Sequence, residues 1–219
     1  MFLNNYKTAL NVLLKKPIML WGLSLLLVLL TAIGTMLTAL LPFLSIAVAF
    51  LFYAGSAKLF MDGLKGKEVN SKQLFAAFDK NAVKTAGAMA WQALWTVIWS
   101  GVPIYGIVKA YSYRFVPYII MSRPEISAFD ALKISMKMTE GKKMQMFLAD
   151  LVAVCAPGVI GFILGLLGAI PFLGIIFRFA SAVFVVAIAL FGYVFVGLYM
   201  ASFFNEEEID QYIEAPAAE

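Results

Sequence analysis

The stretch Pro17–Leu41, PIMLWGLSLLLVLLTAIGTMLTALL, runs for 25 residues without a charge, and it limits the fold more than any other feature of the chain. As a helix it measures about 37 Å against a hydrocarbon core of about 30 Å, so it spans a bilayer with some tilt. A cleaved signal peptide has a shorter apolar region, about 7 to 15 residues, so the run is expected to stay as a helix. The rest of the chain repeats the message. With 63% of its 219 residues hydrophobic and 14% charged, the protein has more apolar surface than one water-soluble core can bury. The expected fold class is all-α, a polytopic membrane helix bundle.

The same composition excludes several chemistries. A single cysteine, Cys155, permits no intramolecular disulfide. Histidine is absent, which removes the commonest general base and the commonest metal ligand together. No Gly-rich phosphate loop ending in Lys-Ser or Lys-Thr occurs. No metal and no cofactor is expected, and the chain reads as a non-enzyme.

Five further apolar segments follow the first, giving expected spans at about 17–41, 43–61, 85–101, 104–122, 146–170 and 178–203. The fourth is the least regular, because KAYSYRFVPYII places Lys109 and Arg114 inside an apolar context. If it stays outside the membrane, seven Lys and Arg residues fall on the side opposite the N-terminus. If it returns through the membrane, fourteen of the seventeen basic residues lie on the N-terminal side. The turns LPFL, GVPIYG and AIPFLG on the other side then carry no charge. Cytoplasmic loops are enriched in Lys and Arg, so the charge favours six spans in three hairpins with both termini cytoplasmic. Pro42, Pro103 and Pro171 stand in the three outer turns, where a helix is expected to break.

Two amphipathic segments are expected on the cytoplasmic face. In the first, Asn70 or Ser71 caps a short helix with Leu74, Phe75 and Phe78 on one face. In the second, Ser127 and Asp130 form a capping-box-like start and Gly141 a stop. Phe129, Leu132 and Met136 between them make an apolar stripe. Burial beneath the bundle, closing its cytoplasmic mouth, accounts for that stripe more readily than a docking role. The basic excess on this face suits anionic lipids, and its dispersal along the membrane edge argues against nucleic acid. Residues 205–219 reverse the sign and read as a mobile acidic cytoplasmic tail, in reach of the basic face.

Within the spans, Lys109, Arg114 and Arg178 are candidate ligands for an anion or a lipid headgroup, with Arg114 near mid-depth. Cations in such places face a partner, a cavity or water; snorkelling and bonding to helix-end carbonyls are the competing explanation. Lys109 and Ser112, three apart, also have the spacing of a Ser-Lys hydrolase pair, but no oxyanion hole is visible. Trp91, Trp95 and Trp99 recur on one face of the third span and read as packing. Gly158, Gly161, Gly165 and Gly168 make a smooth face suited to close helix packing, within the chain or in a homodimer.

The stretch KAYSYRFVPYIIMSRPEISAFDALKISMKMTEGKKMQMF resembles the hallmark region of a bacterial integral-membrane family, domain of unknown function 975. That family is related to the membrane part of some glycerophosphodiester phosphodiesterases. The matching residues are Lys109, Tyr111, Ser112, Tyr113, Pro117, Tyr118, Pro124, Ile126, Ser127, Ala128, Ala131, Ser135, Gly141 and Lys142, then Phe147, Asp150 and Leu151. An aromatic expected after the Asp-Leu pair is missing from VAVCAPG. The resemblance implies a six-helix bacterial inner-membrane protein with no assigned reaction, and phosphodiesterase activity does not follow, because the catalytic part of those enzymes is a separate soluble domain. The expected role is that of an accessory or organising protein with a membrane-protein partner. A small transporter or lipid-handling protein for an anionic solute or phospholipid is the alternative.

Overall fold

Proline opens three of the principal helices. Its missing N–H falls among the unpaired donors of a first turn, and its φ is already helical. The computed structural model describes residues 2–15, 17–37, 42–172 and 174–214, all helix or connecting turn. The helices are α1 (Phe2–Lys15), α2 (Pro17–Leu37), α3 (Pro42–Leu64), α4 (Ser71–Leu74), α5 (Ala82–Ser100) and α6 (Pro103–Ser112). They continue as α7 (Val116–Ser122), α8 (Ala128–Met138), α9 (Lys143–Leu167), α10 (Gly174–Ala187), α11 (Tyr193–Ala201) and α12 (Glu208–Glu214). A 3₁₀ turn, Ala76–Phe78, follows α4, and a π-helical turn, Ile188–Gly192, joins α10 to α11 without a break.

The chain is all-α, and α3 and α9 are long and apolar enough to cross a membrane. The pair α1 and α2, bent by 94°, makes a third if it is taken as one span. Two segments differ from expectation. Residues 104–122 form two short helices, α6 and α7, separated by a turn at Tyr113–Phe115 rather than one continuous span. Residues 2–15, left outside the spans by sequence, form the amphipathic helix α1, which buries Ala9 and Leu13 and turns Lys7, Thr8 and Asn11 outward. Tyr6 of α1 packs on Phe195 and Tyr199 of α11.

Burial is strongly one-ended. The last half of α3, the start of α5 (Thr85, Ala88, Met89), the start of α9 (Met146, Ala149) and α11 (Val194, Leu198–Ala201) converge with α7 and α8 in one core. At the other end Val97, Ile104, Phe162, Leu166, Ile176 and Phe179 point outward, all more than half exposed. Water would penalise such a surface and hydrocarbon would not.

Helix α8 closes the packed end. Ser127 caps it, accepting from the Asp130 N–H at 3.1 Å, and Gly141 follows it at φ +73, as the sequence suggested. Its buried side is Ala131, Leu132, Ile134, Ser135 and Met138, while Phe129 is 53% exposed. The expected stripe of Phe129, Leu132 and Met136 is therefore rotated. Ala131 and Ser135 are small enough to bring the helix against its neighbours, and Phe129 is left at the rim under the Lys133 ammonium, 4.3 Å from its ring. Asn70 and Gln73 form a full capping box on α4. Leu74 is buried, and Phe75 and Phe78 pack on Phe52 of α3. Gly55 of α3 makes that approach possible: a Cβ there would collide with the Leu74 carbonyl.

The acidic segment is not a free tail as far as residue 214. Glu206 pairs with Lys65 and Arg123, Asp210 with Arg123, and Glu208 with Lys142. Ile209 is completely buried, so α12 lies strapped across the packed end. Residues 215–219 of the expected tail lie outside the described residues.

Candidate functional site at the broken helix

The break between α6 and α7 begins with Pro117. A straight helix through it would need a Pro117 N–H to the Tyr113 carbonyl, which proline lacks, and the ring would meet that carbonyl. The Val116 N–H instead bonds Tyr113 O at 3.2 Å, which leaves the Ser112 carbonyl and the Phe115 N–H without helical partners. One side chain serves both. Ser135 of α8 donates its hydroxyl to Ser112 O at 2.7 Å and accepts from the Phe115 N–H at 3.1 Å. The Thr139 hydroxyl lies 3.4 Å from Ser112 O, but its one proton is closer to Ser135 O, at 2.9 Å, within its own helix. Ser112, Phe115, Ser135 and Thr139 are all essentially inaccessible, so the arrangement satisfies polar groups that water cannot reach.

The turn carries Arg114 toward α9. Its Nη1 lies 3.1 Å from Asp150 Oδ2, and the Tyr111 hydroxyl donates to the same oxygen at 2.9 Å. The guanidinium also sits 5.5 Å from the Tyr111 ring centre. Tyr6 of α1 donates to the Ala149 carbonyl next door, at 3.1 Å. Arg114 is thus set level with the second turn of α9, beside the packed core, and its charge is balanced. The sequence assigned Arg114 no partner among its anion-binding candidates; the fold supplies one in Asp150, 36 positions away in sequence.

The other two candidate cations are held differently. Lys109 Nζ lies 5.2 Å from the Trp99 ring centre, 5.9 Å from that of Tyr113 and 3.7 Å from Met136 Sδ. It forms no ion pair among the described residues. Arg178 donates through Nε to the Gly168 carbonyl at 3.0 Å, a helix-end bond across the α9–α10 hairpin. A cavity of about 370 Å³ beside it is lined by Gly165, Gly168, Arg178 and Ser181. The three cations do not converge on one site.

Of the motif residues, Ser112, Tyr113, Pro117 and Tyr118 are buried and Tyr111 is half-buried at the ion pair. The Ser112 hydroxyl donates to Val108 O within its own helix, at 2.8 Å, while the nearby Lys109 ammonium is directed to the Trp99 ring and Met136. The Trp row packs against the core, Trp91 on Trp95 edge to face and Trp99 against Tyr105. The glycine face is used in part. Gly161 meets Phe184 and Gly168 meets Arg178, while Gly158 and Gly165 face open space. A larger open groove of about 910 Å³ lies between α8 and α12, where Lys133, Lys137 and Lys143 alternate with Glu125, Asp130 and Glu140. No group of three or more metal-ligating side chains occurs among the described residues.

Comparison of the chain with protein-family models, with curated proteins and with solved structures finds no match in any of the three.

Proposed function

We propose that the chain is a six-span bacterial inner-membrane protein with both termini cytoplasmic, working as a non-enzymatic accessory or organising protein. The observation that carries this reading is the Arg114–Asp150 pair with its Tyr111 hydrogen bond, set against a closed core. An anion carrier needs uncompensated cations lining one path; here Arg114 is neutralised within the chain, and Lys109 and Arg178, without ion pairs among the described residues, are held apart on the Trp99 ring and the Gly168 carbonyl. The resemblance around Lys109–Leu151 supports the same reading, since its residues concentrate at the helix break and its hydrogen bonds. The charge asymmetry of the loops supports six spans, with α2, α3, α5, the α6–α7 pair, α9 and the continuous α10–α11 as the crossing segments.

Topology is tested with Cys155→Ser and single cysteines at Gly101, Glu125 and Gly168, labelled in intact cells with an impermeant maleimide. Labelling at Gly101 and Gly168 alone is expected; labelling at Glu125 refutes six spans. The role is tested by purification from native membranes in polymer nanodiscs, with stoichiometric recovery of a second membrane protein expected. Recovery of the chain alone, together with anion flux in proteoliposomes, would replace this reading with the transporter.

A further inference from the structure

The strap formed by the C-terminal segment shows what its own seat is built to hold. Glu206, Glu208 and Asp210 reach three cations from three different parts of the chain: Lys65 after α3, Arg123 after α7 and Lys142 before α9. Between these contacts Ile209 enters the core with no remaining exposure. Tyr212 follows one turn later with the Lys137 ammonium 6.0 Å from its ring centre. Among the described residues, no carboxylate outside the strap forms an ion pair with Lys65, Arg123 or Lys142. Without residues 206–212, the packed end would present these three cations without their ion-pair partners around an open apolar socket.

We infer that this face is a docking site for an acidic amphipathic segment of a partner protein, and that residues 206–212, α12 with Glu206 before it, occupy it in cis as a competing ligand. The strap itself shows the complementary chemistry: carboxylates at alternate positions, an aliphatic anchor between the last two, and an aromatic three residues beyond that anchor. The contacts suit exchange. The ion pairs are partly exposed, so each contributes little and is weakened by salt, and the seven-residue α12 is too short to be stable away from its seat. A covalently attached ligand acts at an effective concentration of about millimolar. A displacing segment therefore has to be presented at comparable local density, as a protein in the same membrane can be. The inference deepens the accessory reading by giving the partner's chemistry. It fails separately from that reading, because native co-purification does not depend on which surface is used.

The test uses the full-length chain in detergent micelles at low ionic strength, with a fluorescein-labelled peptide of residues 205–219 as the probe. In the variant Glu206→Lys, Glu208→Lys, Asp210→Lys the strap is repelled from its seat. Anisotropy is expected to show the peptide binding this variant at least about tenfold more tightly than the wild-type chain, where the strap competes. Adding Arg123→Glu and Lys142→Glu should abolish the gain. Equal binding by the triple variant and wild type overturns the inference. Should the variant aggregate, hydrogen exchange on the wild-type chain decides: excess peptide is expected to speed exchange at residues 206–212, and unchanged exchange at millimolar peptide overturns the inference. A disulfide between Arg123→Cys in one tagged copy and Asp210→Cys in a differently tagged copy, formed in membranes, would assign the seat to a second copy and likewise overturn a separate partner.

Discussion

Replacing Ser135 with alanine removes one oxygen and strands two backbone groups. The Phe115 N–H loses its partner outright, and the Ser112 carbonyl is left with only the Thr139 hydroxyl, at 3.4 Å. Both lie where solvent does not reach: Phe115 and Ser135 have no exposure and Ser112 has 1%. An unsatisfied buried group costs about 1–3 kcal/mol, so the amide contributes that in full and the carbonyl roughly half, giving about 2–4 kcal/mol in total. The lost hydroxyl leaves too small a void to add much. The assay is reversible unfolding in mixed micelles at rising SDS fraction, with circular dichroism as the readout. A Thr139→Val change alone should cost less, about 1 kcal/mol or under, and the double variant should exceed the sum of the two, because the Thr139 hydroxyl, bonded to Ser135 O at 2.9 Å, can turn to Ser112 O when the Ser135 hydroxyl is gone. A Ser135→Ala loss below about 0.5 kcal/mol, the range of ordinary surface changes, would refute the idea that this serine holds the helix break.

Asp150→Asn leaves Arg114 facing a neutral amide and should lower stability by about 1–2 kcal/mol, discounted because both side chains are partly exposed. Asp150→Asn combined with Arg114→Gln should recover much of that loss in the same SDS titration, and a double variant no better than the single would contradict the pairing. Gly55→Ala drives a methyl group into the Leu74 backbone and should cost about 1–3 kcal/mol, whereas Gly165→Ala, with open space around it, should change stability by less than about 0.5 kcal/mol. If Gly165→Ala instead shifts the mass measured by light scattering, the open part of the glycine face is a dimer contact. The Glu206 carboxyl is held below its usual range, first by the Lys65 hydrogen bond and then by the Lys65, Arg123 and Lys58 charges, against some burial. A carboxyl with a depressed folded pKa stabilises the docked strap above its unfolded pKa and loses that contribution as pH falls through the folded one. Hydrogen exchange at α12, corrected for intrinsic rates, should therefore rise on acidification below the ordinary carboxylate range and stay flat between pH about 6 and 8; a rise within that neutral window would contradict the assignment.

Hydropathy and local capping chemistry made much of the helical architecture legible. Five expected segments coincide within a few residues with α2, α3, α5, α9 and the joined α10–α11 over their described residues. The Ser127 cap and the Gly141 stop stand where local chemistry placed them, and of Asn70 and Ser71 the structure selects Asn70 as the cap, because capping depends on residues within one turn. The buried side of α8 was misjudged for a corresponding reason. Hydropathy rewards Phe129, while the seat rewards small residues that let backbones approach, and only the neighbouring helices reveal that preference. The proline that breaks the fourth segment was in plain view, but Pro117 alone does not say whether the freed groups find partners.

Composition and the uncharged runs thus determined an all-helical chain with helices long and apolar enough to cross a membrane, since those properties add up residue by residue along the sequence. Tertiary structure decided what distant residues do to one another. It brought Asp150 to Arg114, Ser135 to both sides of the helix break, and three strap carboxylates to cations on separate loops. Charge balance and hydrogen-bond satisfaction are properties of pairs, and a pair separated by dozens of residues has no local signal until the chain has folded.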